Sequence, residues 1–483
     1  AYADGVDTII TCDNGIAAET AVTRAKELGM TVIVTDHHEV PCEVTENGEK
    51  NYLYVNADAV VDPHRPDCAY PYKDLCGAGV AYKFIRHLYR VMELPWEGED
   101  AYMDILALGT VCDIMPLTDE NRIFVKRGLR RLTNSTNLGI NALKKALGLD
   151  GKPIEVHHLS FRIGPSLNST GRLESAKEGV ELLLTDDPAR AESLAQDMAK
   201  LNELRKEMTD RGVRAATDWV RKDIRMIPTE DGVKEKKIGD DKVIVLYMPG
   251  IHESIAGLIA SKLKEAFYRP TLVFTDAENG QGLKGSGRSI ETYNMFDKLC
   301  EHKELFVKVG GHPMAAGFTI TREALEPLRE ALNRDCNLTD ADLVEKLYVD
   351  ESCAIKQLTL PLYEELAKLE PYGTANVRPL FGIVKMGIRS IKMVGNEGQY
   401  ARCTFVDGNG TRINGMVFRG KELLDNIKVW FGDKECDKIL KGLQNHALID
   451  ILYHMKKNEF NGTVSIQMEP VSIRKSVYYE TSK

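Results

Sequence analysis

Two short β-branched runs, each ending in an acid, open the chain. Thr8-Ile-Ile-Thr-Cys12 runs into Asp13-Asn14-Gly15, and Thr31-Val-Ile-Val-Thr35 runs into Asp36-His37-His38. Runs of this kind predict buried strands, and Pro41 bars ladder pairing beyond the second. The helical pattern of residues 17–28 predicts the crossover between them, with the first strand interior to its sheet. Parallel neighbours joined by a right-handed crossover place Asp13 and Asp36 at one sheet edge, where open α/β sheets carry their sites. A third acid, Asp113, ends the apolar helical run of residues 106–112, and Pro116 closes that segment.

Further along, residues 51–56 read as a short strand before a Pro- and Asp-rich loop at 62–71. Residues 75–82 enter a helix through small residues, where Gly77 and Gly79 suit close packing better than a phosphate contact. Residues 119–122 read as a capping turn. From 187 to 220 the pattern is one long helix, with Leu194, Met198, Leu201 and Leu204 at helical spacing. A polar loop at 228–241 precedes strands at 243–247 and 270–274 that flank a small-residue helix. His252, ahead of that helix, reads equally as a cap or as a cleft residue, and Asp4 as a solvated turn residue. Past residue 351, β-like runs recur at 401–406, 413–418, 447–453 and 462–468.

Length and composition fit a large protein of about three domains. With 43% hydrophobic and 28% charged residues, neither a disordered nor a membrane-spanning chain is indicated. Ten cysteines without a Cys-x-x-Cys pair suit reduced thiols in a cytoplasm. A net charge of -9 argues against a generally basic coat, but not against a local groove. Between Arg378 and Gly420, seven Lys or Arg face two Asp or Glu, interleaved with Tyr400, Phe405 and Phe418. Such a mix suits single-strand binding, with one of the three aromatics expected to stack on a base and the others to fill a core.

An acid beside two imidazoles offers one hard oxygen and two nitrogen donors, a set that suits a divalent metal such as manganese. Alone, Asp36-His37-His38 reads equally as a loop end with a structural hydrogen bond. The matching elements that carry Asp13 and Asp113 turn it into a candidate metal cluster. Two glycine-rich runs, 285–289 and 310–317, let backbone N–H groups approach an anion, with Arg288 adding charge and His312 a donor. Arg172 is a forked donor suited to phosphate, and Asn168 reads equally as a ligand contact or part of a structural loop.

Cys12-Asp-Asn-Gly-Ile16, Thr35-Asp-His-His38 and Gly109-Thr-Val-Cys-Asp113 followed by Pro116-Leu117 resemble the second, third and fourth motifs of the DHH phosphoesterase superfamily. Gly310 to Gly317 resembles the glycine-rich motif of the companion DHHA1 domain. Residues 162–172 and 369–381 resemble segments of the RecJ family, single-strand-specific DNA exonucleases running 5′ to 3′ in repair and recombination. The resemblance covers nearly the whole chain. It implies an α/β fold: a parallel-sheet DHH domain at 1–185, a connector helix at 186–222, an α/β DHHA1 domain at 223–340 and a β-rich OB-fold at 351–483.

By the same resemblance, Asp13 bridges two Mn²⁺ or Mg²⁺ ions, and His37 and Asp113 complete one site. His38 is the expected phosphate-facing donor and Asp36 the ligand-orienting or near-metal carboxylate. Asn168, Arg172, Ser286, Arg288, Gly310, Gly311 and His312 are the expected substrate contacts, those of the DHHA1 domain forming a clamp on the strand. The family's first motif is expected upstream of Ala1, which makes this chain a fragment with impaired hydrolysis. The implied setting is a cytoplasmic monomer acting on single-stranded DNA, with single-strand-binding protein and a RecQ-type helicase as candidate partners and no membrane. The alternatives are a DHH oligoribonuclease or cyclic-dinucleotide phosphodiesterase, a non-catalytic Cdc45-like scaffold that binds single strands, and a generic metallophosphatase.

Overall fold

In a computed structural model of the chain, the described residues are 1–477 except 46, 48, 97, 99, 174, 175, 223, 230, 231, 238–240, 279, 281, 396, 397 and 461. At 44, 172, 173, 227–229, 232–237 and 460 the description is of backbone alone. Packing divides the chain into two units. Ala1–Thr133, Ile154–Val156 and Leu347–Lys483 form the first, and Asn134–Pro153 and His157–Lys346 the second.

The first unit begins with β1 (Thr8–Ile10), α1 (Glu19–Glu27), β2 (Thr31–Thr35), the hairpin β3 (Cys42–Val44) and β4 (Lys50–Tyr52), and β5 (Ala59–Val61). Strands β1, β2 and β5 form a parallel sheet in that order, with Thr8 opposite Thr31 and Thr35 opposite Val61. Helix α1 covers one face through Val22 and Ala25, packed with Val32 and Val34. Strand β1 lies at the edge of the described sheet rather than inside it. With one neighbour only, its Ile10 stays 57% exposed. The expected strand at 51–56 is also displaced: pairing in β4 stops at Tyr52, and the third parallel strand is β5. Asp58 explains its register, because its carboxylate accepts the Val32 N–H at 2.7 Å just before β5 starts.

Helices α2 (Gly77–Val91), α3 (Met103–Cys112) and α4 (Asp119–Thr133) follow. Residues 119–122, expected as a capping turn, are the first turn of α4 itself. Gly128 lets α4 lie against α3, since a Cβ there would come within 2.2 Å of the Met103 carbonyl oxygen.

The second unit holds α5 (Leu138–Ala146), the greater part of α6 (Val156–His158), α7 (Gly164–Leu173), α8 (Lys177–Leu184) and the long α9 (Pro188–Arg221). Asp187 caps α9 by accepting the Ala189 N–H at 2.9 Å, ahead of Pro188 in the first turn. Its buried stripe departs from the expected one, because Leu204 is exposed while Asn202 is fully buried and donates to the Ser166 hydroxyl at 3.1 Å. A hairpin, β6 (Ile224–Thr229) and β7 (Gly232–Lys237), occupies part of the expected loop.

A five-stranded sheet then runs in the order β11-β12-β10-β9-β8. It is built from β8 (Ile244–Tyr247), α10 (Ala256–Phe267), β9 (Thr271–Asp276), β10 (Leu283–Arg288), α11 (Met295–Cys300), β11 (Lys308–His312), β12 (Ala315–Ile320) and α12 (Leu325–Arg334).

The chain returns to the first unit through β13 (Glu351–Ser352) and α13 (Leu360–Ala367). Strands β14 (Phe381–Val394), β15 (Tyr400–Val406) and β16 (Arg412–Val417) form a meander. Helices α14 (Gly420–Phe431) and α15 (Asp433–Leu440) lead to β17 (Leu448–Phe460) and β18 (Thr463–Lys475). Strand β17 also pairs with β14, and β16 meets β18, which closes a five-stranded barrel. Its core includes Ile388, Cys403, Phe405, Ile427, Ile449 and Tyr453.

Candidate metal centre and nucleic-acid face

Ladder bonds carried past the strand ends place the acids. The Thr11 N–H reaches the Ile33 carbonyl at 2.9 Å and the Asp13 N–H reaches the Thr35 carbonyl at 3.1 Å, so the loop after β1 stays stitched to the end of β2. Asp13 itself adopts φ 64°, a left-handed conformation that Asp tolerates better than most residues. His37 then stands between two carboxylates: its Nε2 lies 3.0 Å from an Asp13 oxygen and 3.3 Å from one of Asp113, at the C-cap of α3. Asp13, His37 and His38 each offer a donor atom within 4.8 Å of the others. A hard-oxygen and imidazole set of this kind fits a divalent transition metal.

Asp36 plays a different part. It is 1% exposed, and both oxygens are engaged. One accepts the Ile16 N–H at 2.9 Å; the other accepts the His37 N–H at 2.8 Å and meets His38 Nδ1 at 2.7 Å. Burial by itself would raise the Asp36 carboxyl, but the bonds from Ile16, His38 and His37 outweigh it and hold it below its ordinary value. The same hydrogen bond is the main reason the His38 ring is raised, with burial opposing and Asp13 and Asp113 adding to it. Asp113 is raised, first by burial and further by Asp13, with His37 opposing. Beside these carboxylates the Cys112 thiol is pushed up to about 11, chiefly by burial.

A pH dependence of stability follows for metal-free protein. His38 gains a partner on folding, so its contribution is full below its ordinary value near 6.5 and is lost as pH rises through the raised one. Asp36 contributes above its ordinary value of 3.8 and loses that as pH falls through the lowered one. Melting temperatures in chelator should therefore show His38→Gln closing its gap to the parent as pH rises from 6 to 9. A constant gap over that range would contradict the pairing.

Two neighbours of the centre carried no expected chemistry. A Cβ at Gly77 would sit 2.3 Å from the Asp13 carboxylate, so this glycine admits the acid to the N-terminal end of α2. The packing role expected of it is thus a packing role against a metal-ligand candidate. Beyond β5, Asp62 is 3% exposed and accepts the His64 N–H at 2.8 Å, while the His64 ring bonds the His37 carbonyl through Nδ1. This turn buttresses His37 from behind. Its only sequence signal was an acid and an imidazole in a proline-rich loop.

Arg122, in α4, ties this centre to the C-terminal barrel within the same unit. Its guanidinium donates to the Leu369 carbonyl at 2.8 Å and the Lys368 carbonyl at 3.2 Å. The Leu117 N–H meets the Thr374 carbonyl at 2.7 Å, four residues after Asp113.

In the second unit the expected contacts fall into two groups. Residues 162–172 are helical rather than a loop, with Asn168 exposed on α7. Arg172 lies near the end of that helix, and its side chain is outside the described residues. The two glycine runs, by contrast, come together across β12. Ser286 and Gly310 both register with Gly317, Gly311 with Ala316, and Arg288 and His312 both with Ala315. Arg288 bonds the Ser286 hydroxyl at 2.9 Å. His252 caps the turn ahead of α10, accepting the Ser254 N–H at 3.2 Å.

On the barrel, alternate residues of β14 to β16 face out. Register aligns Lys392, Arg402 and Met416 in one row and Ser390, Thr404 and Asn414 in the next. Phe405 is fully buried in the core, whereas Tyr400 and Phe418 form an exposed edge-to-face pair at 5.8 Å. Two aromatics therefore stand outside the core, where one was expected. Arg378 is taken up by Glu469 at 2.6 Å and adds nothing to the face.

Three family models match the chain: the DHH family N-terminal domain at residues 3–110, the DHHA1 domain at 240–337 and the RecJ OB domain at 349–471. The chain is 34% identical to the single-stranded-DNA-specific exonuclease RecJ of Bacillus subtilis, over 88% of its own length and half of the relative's. With the RecJ of Dickeya dadantii it shares 31% over 97% of the chain and 77% of the relative, and with that of Escherichia coli 30% over the same shares. The crystal structure of RecJ in complex with Mn²⁺ from Thermus thermophilus superposes with a TM-score of 0.76 at 26% identity, covering 98% of this chain and 62% of that one. No described helix is long and apolar enough to cross a membrane. From the metal-centre residues at one end to the barrel at the other, the chain belongs to the RecJ family of DHH/DHHA1 proteins.

Proposed function

We propose that the chain is a metal-dependent exonuclease that removes nucleotides from the 5′ end of single-stranded DNA. The observation that carries this reading is His37 Nε2 held between Asp13 and Asp113. The names of the relatives support the single-stranded DNA substrate assigned here, and the polarity is the one that the family resemblance implies. Asp13, His37 and Asp113 would hold one divalent ion, Mn²⁺ or Mg²⁺, and Asp13 would share a second. Such ions supply Lewis acidity at the scissile phosphate and an acidified water. His38, whose protonated form Asp36 favours, would donate a hydrogen bond to a phosphate oxygen, and Asp36 fixes its ring and the Ile16 turn together. The RecJ-type barrel favours this reading over a short-substrate oligoribonuclease or cyclic-dinucleotide phosphodiesterase. The intact acids and imidazoles favour it over a non-catalytic scaffold. Incubation with Mn²⁺ and end-labelled substrates tests it: mononucleotides should leave the 5′ end of a single strand, and equal digestion of blunt duplex would contradict it.

The outer face of β14 to β16 would hold the strand at a distance from the reacting phosphate. Tyr400 and Phe418 offer ring faces, and Lys392 and Arg402 offer charge. Base–aromatic stacking contributes about 1–3 kcal/mol per base. Tyr400→Ala with Phe418→Ala should therefore weaken binding of a long single strand about tenfold or more while sparing hydrolysis of very short oligonucleotides. Unchanged affinity in a filter-binding titration would remove this face from the path of the DNA.

A further inference from the structure

Strands β16 and β18 share a single ladder pair among the described residues, Gly415 with Met468. Toward Arg412 the wall opens into a cavity of about 660 Å³. Leu358, Leu360 and Ile466 give it apolar sides, and Arg412, Asn414 and Ser465 line it with polar groups. The Asn414 amide oxygen already accepts from the Thr404 hydroxyl at 3.1 Å, which leaves its NH₂ group as the outward donor. Asn414 and Thr404 form one row of the same outward face, which continues through the next row, Arg402 and Met416, to the Tyr400–Phe418 pair. Four residues of strand, about 13 Å, separate Asn414 from Phe418.

We infer that this cavity is a second base subsite: it takes one nucleobase of a single strand whose other bases stack on Tyr400 and Phe418. Three features select a base over another occupant. A base has two apolar faces to set against Leu358, Leu360 and Ile466, and a polar edge with acceptors for the Asn414 amide. The phosphate beside it meets Arg412, which is exposed at the rim. The cavity also lies on the same face as the aromatic pair, so one extended strand reaches both. The inference rests on the reading of the barrel face as a single-strand path, and it adds a station that stacks on aliphatic side chains and reads an edge.

The test uses the full chain and the shortest oligothymidylate that binds with full affinity, with an abasic site moved along it one position at a time. Ser465 is exposed on β18, so Ser465→Trp fills the cavity without entering the core. In the parent, one abasic position remote from those sensitive to Tyr400→Ala should cost about fivefold or more in affinity. In Ser465→Trp the intact oligonucleotide should lose a similar factor, and the same abasic site should cost nothing further. Arg412→Ala is the second variant, expected to weaken binding of intact and abasic strands alike and to lower the salt dependence. Losses from Ser465→Trp and the abasic site that multiply would overturn the subsite while leaving the barrel-face reading intact. Indifference of binding to Tyr400→Ala and Phe418→Ala would overturn that reading instead.

Discussion

His37→Ala is expected to lower both Mn²⁺ affinity and turnover on single-stranded DNA by more than about a hundredfold, because loss of even an outer partner of a metal ligand costs 10- to 100-fold. The side chain is 10% exposed and its Nε2 lies within 3.3 Å of carboxylate oxygens of both Asp13 and Asp113. Removing it leaves two carboxylates facing each other, one already raised by burial, so the site should gain a proton in place of the ion. Calorimetric titration with Mn²⁺ reads the affinity, and the melting temperature in chelator checks that the fold survives. A variant that still binds Mn²⁺ like the parent would show that the imidazole is not a ligand.

Gly77→Ala should do comparable damage without touching a donor atom. The new methyl would meet the Asp13 Oδ1, Cβ and Cγ at 2.3 to 2.6 Å, and it faces a side chain whose backbone is held in a left-handed conformation by its bond to Thr35. Asp13 must then swing away from His37. A loss of about 10- to 100-fold in Mn²⁺ affinity is expected, with little loss of stability, since Ala favours a helix over Gly by roughly 1 kcal/mol. Gly79→Ala, two residues on, is the matched control: its Cβ would come no closer than 3.3 Å, to Leu75. Equal metal affinity in Gly77→Ala and the parent would mean that Asp13 is not needed where it stands.

Much of the centre was legible because its residues end elements with strong local signals. The run Thr31–Thr35 stops at Asp36, and the apolar helix Met103–Cys112 stops at Asp113, so burial and termination fall where the sequence put them. Short or tertiary-dependent features were not legible. Three residues, Ala59–Val61, form a strand because β2 offers them a ladder, and no pattern that short carries a period. Residues 164–173 hold Gly, Pro, Ser and Asn, which favour a loop. Burial of Ser166, Ser169 and Thr170 in the packed helix overrides that propensity, with Ser166 bonded to Asn202 of α9. The approach of Gly77 to Asp13 joins residues 64 positions apart, and no local pattern encodes it. Which of Tyr400, Phe405 and Phe418 faces out depended on strand register: Phe405 opposes Ile413 inside the barrel, while Tyr400 and Phe418 pair on its exposed side.

Anomalous diffraction at the manganese edge, from crystals of this chain grown with Mn²⁺, tests the metal centre most directly. The expected result is a peak within about 2.0–2.3 Å of His37 Nε2 and of carboxylate oxygens of Asp13 and Asp113, with Asp36 outside the ligand shell and still bonded to His38. A peak bound to Asp36, or no peak beside His37 in crystals that hold manganese elsewhere, would contradict it.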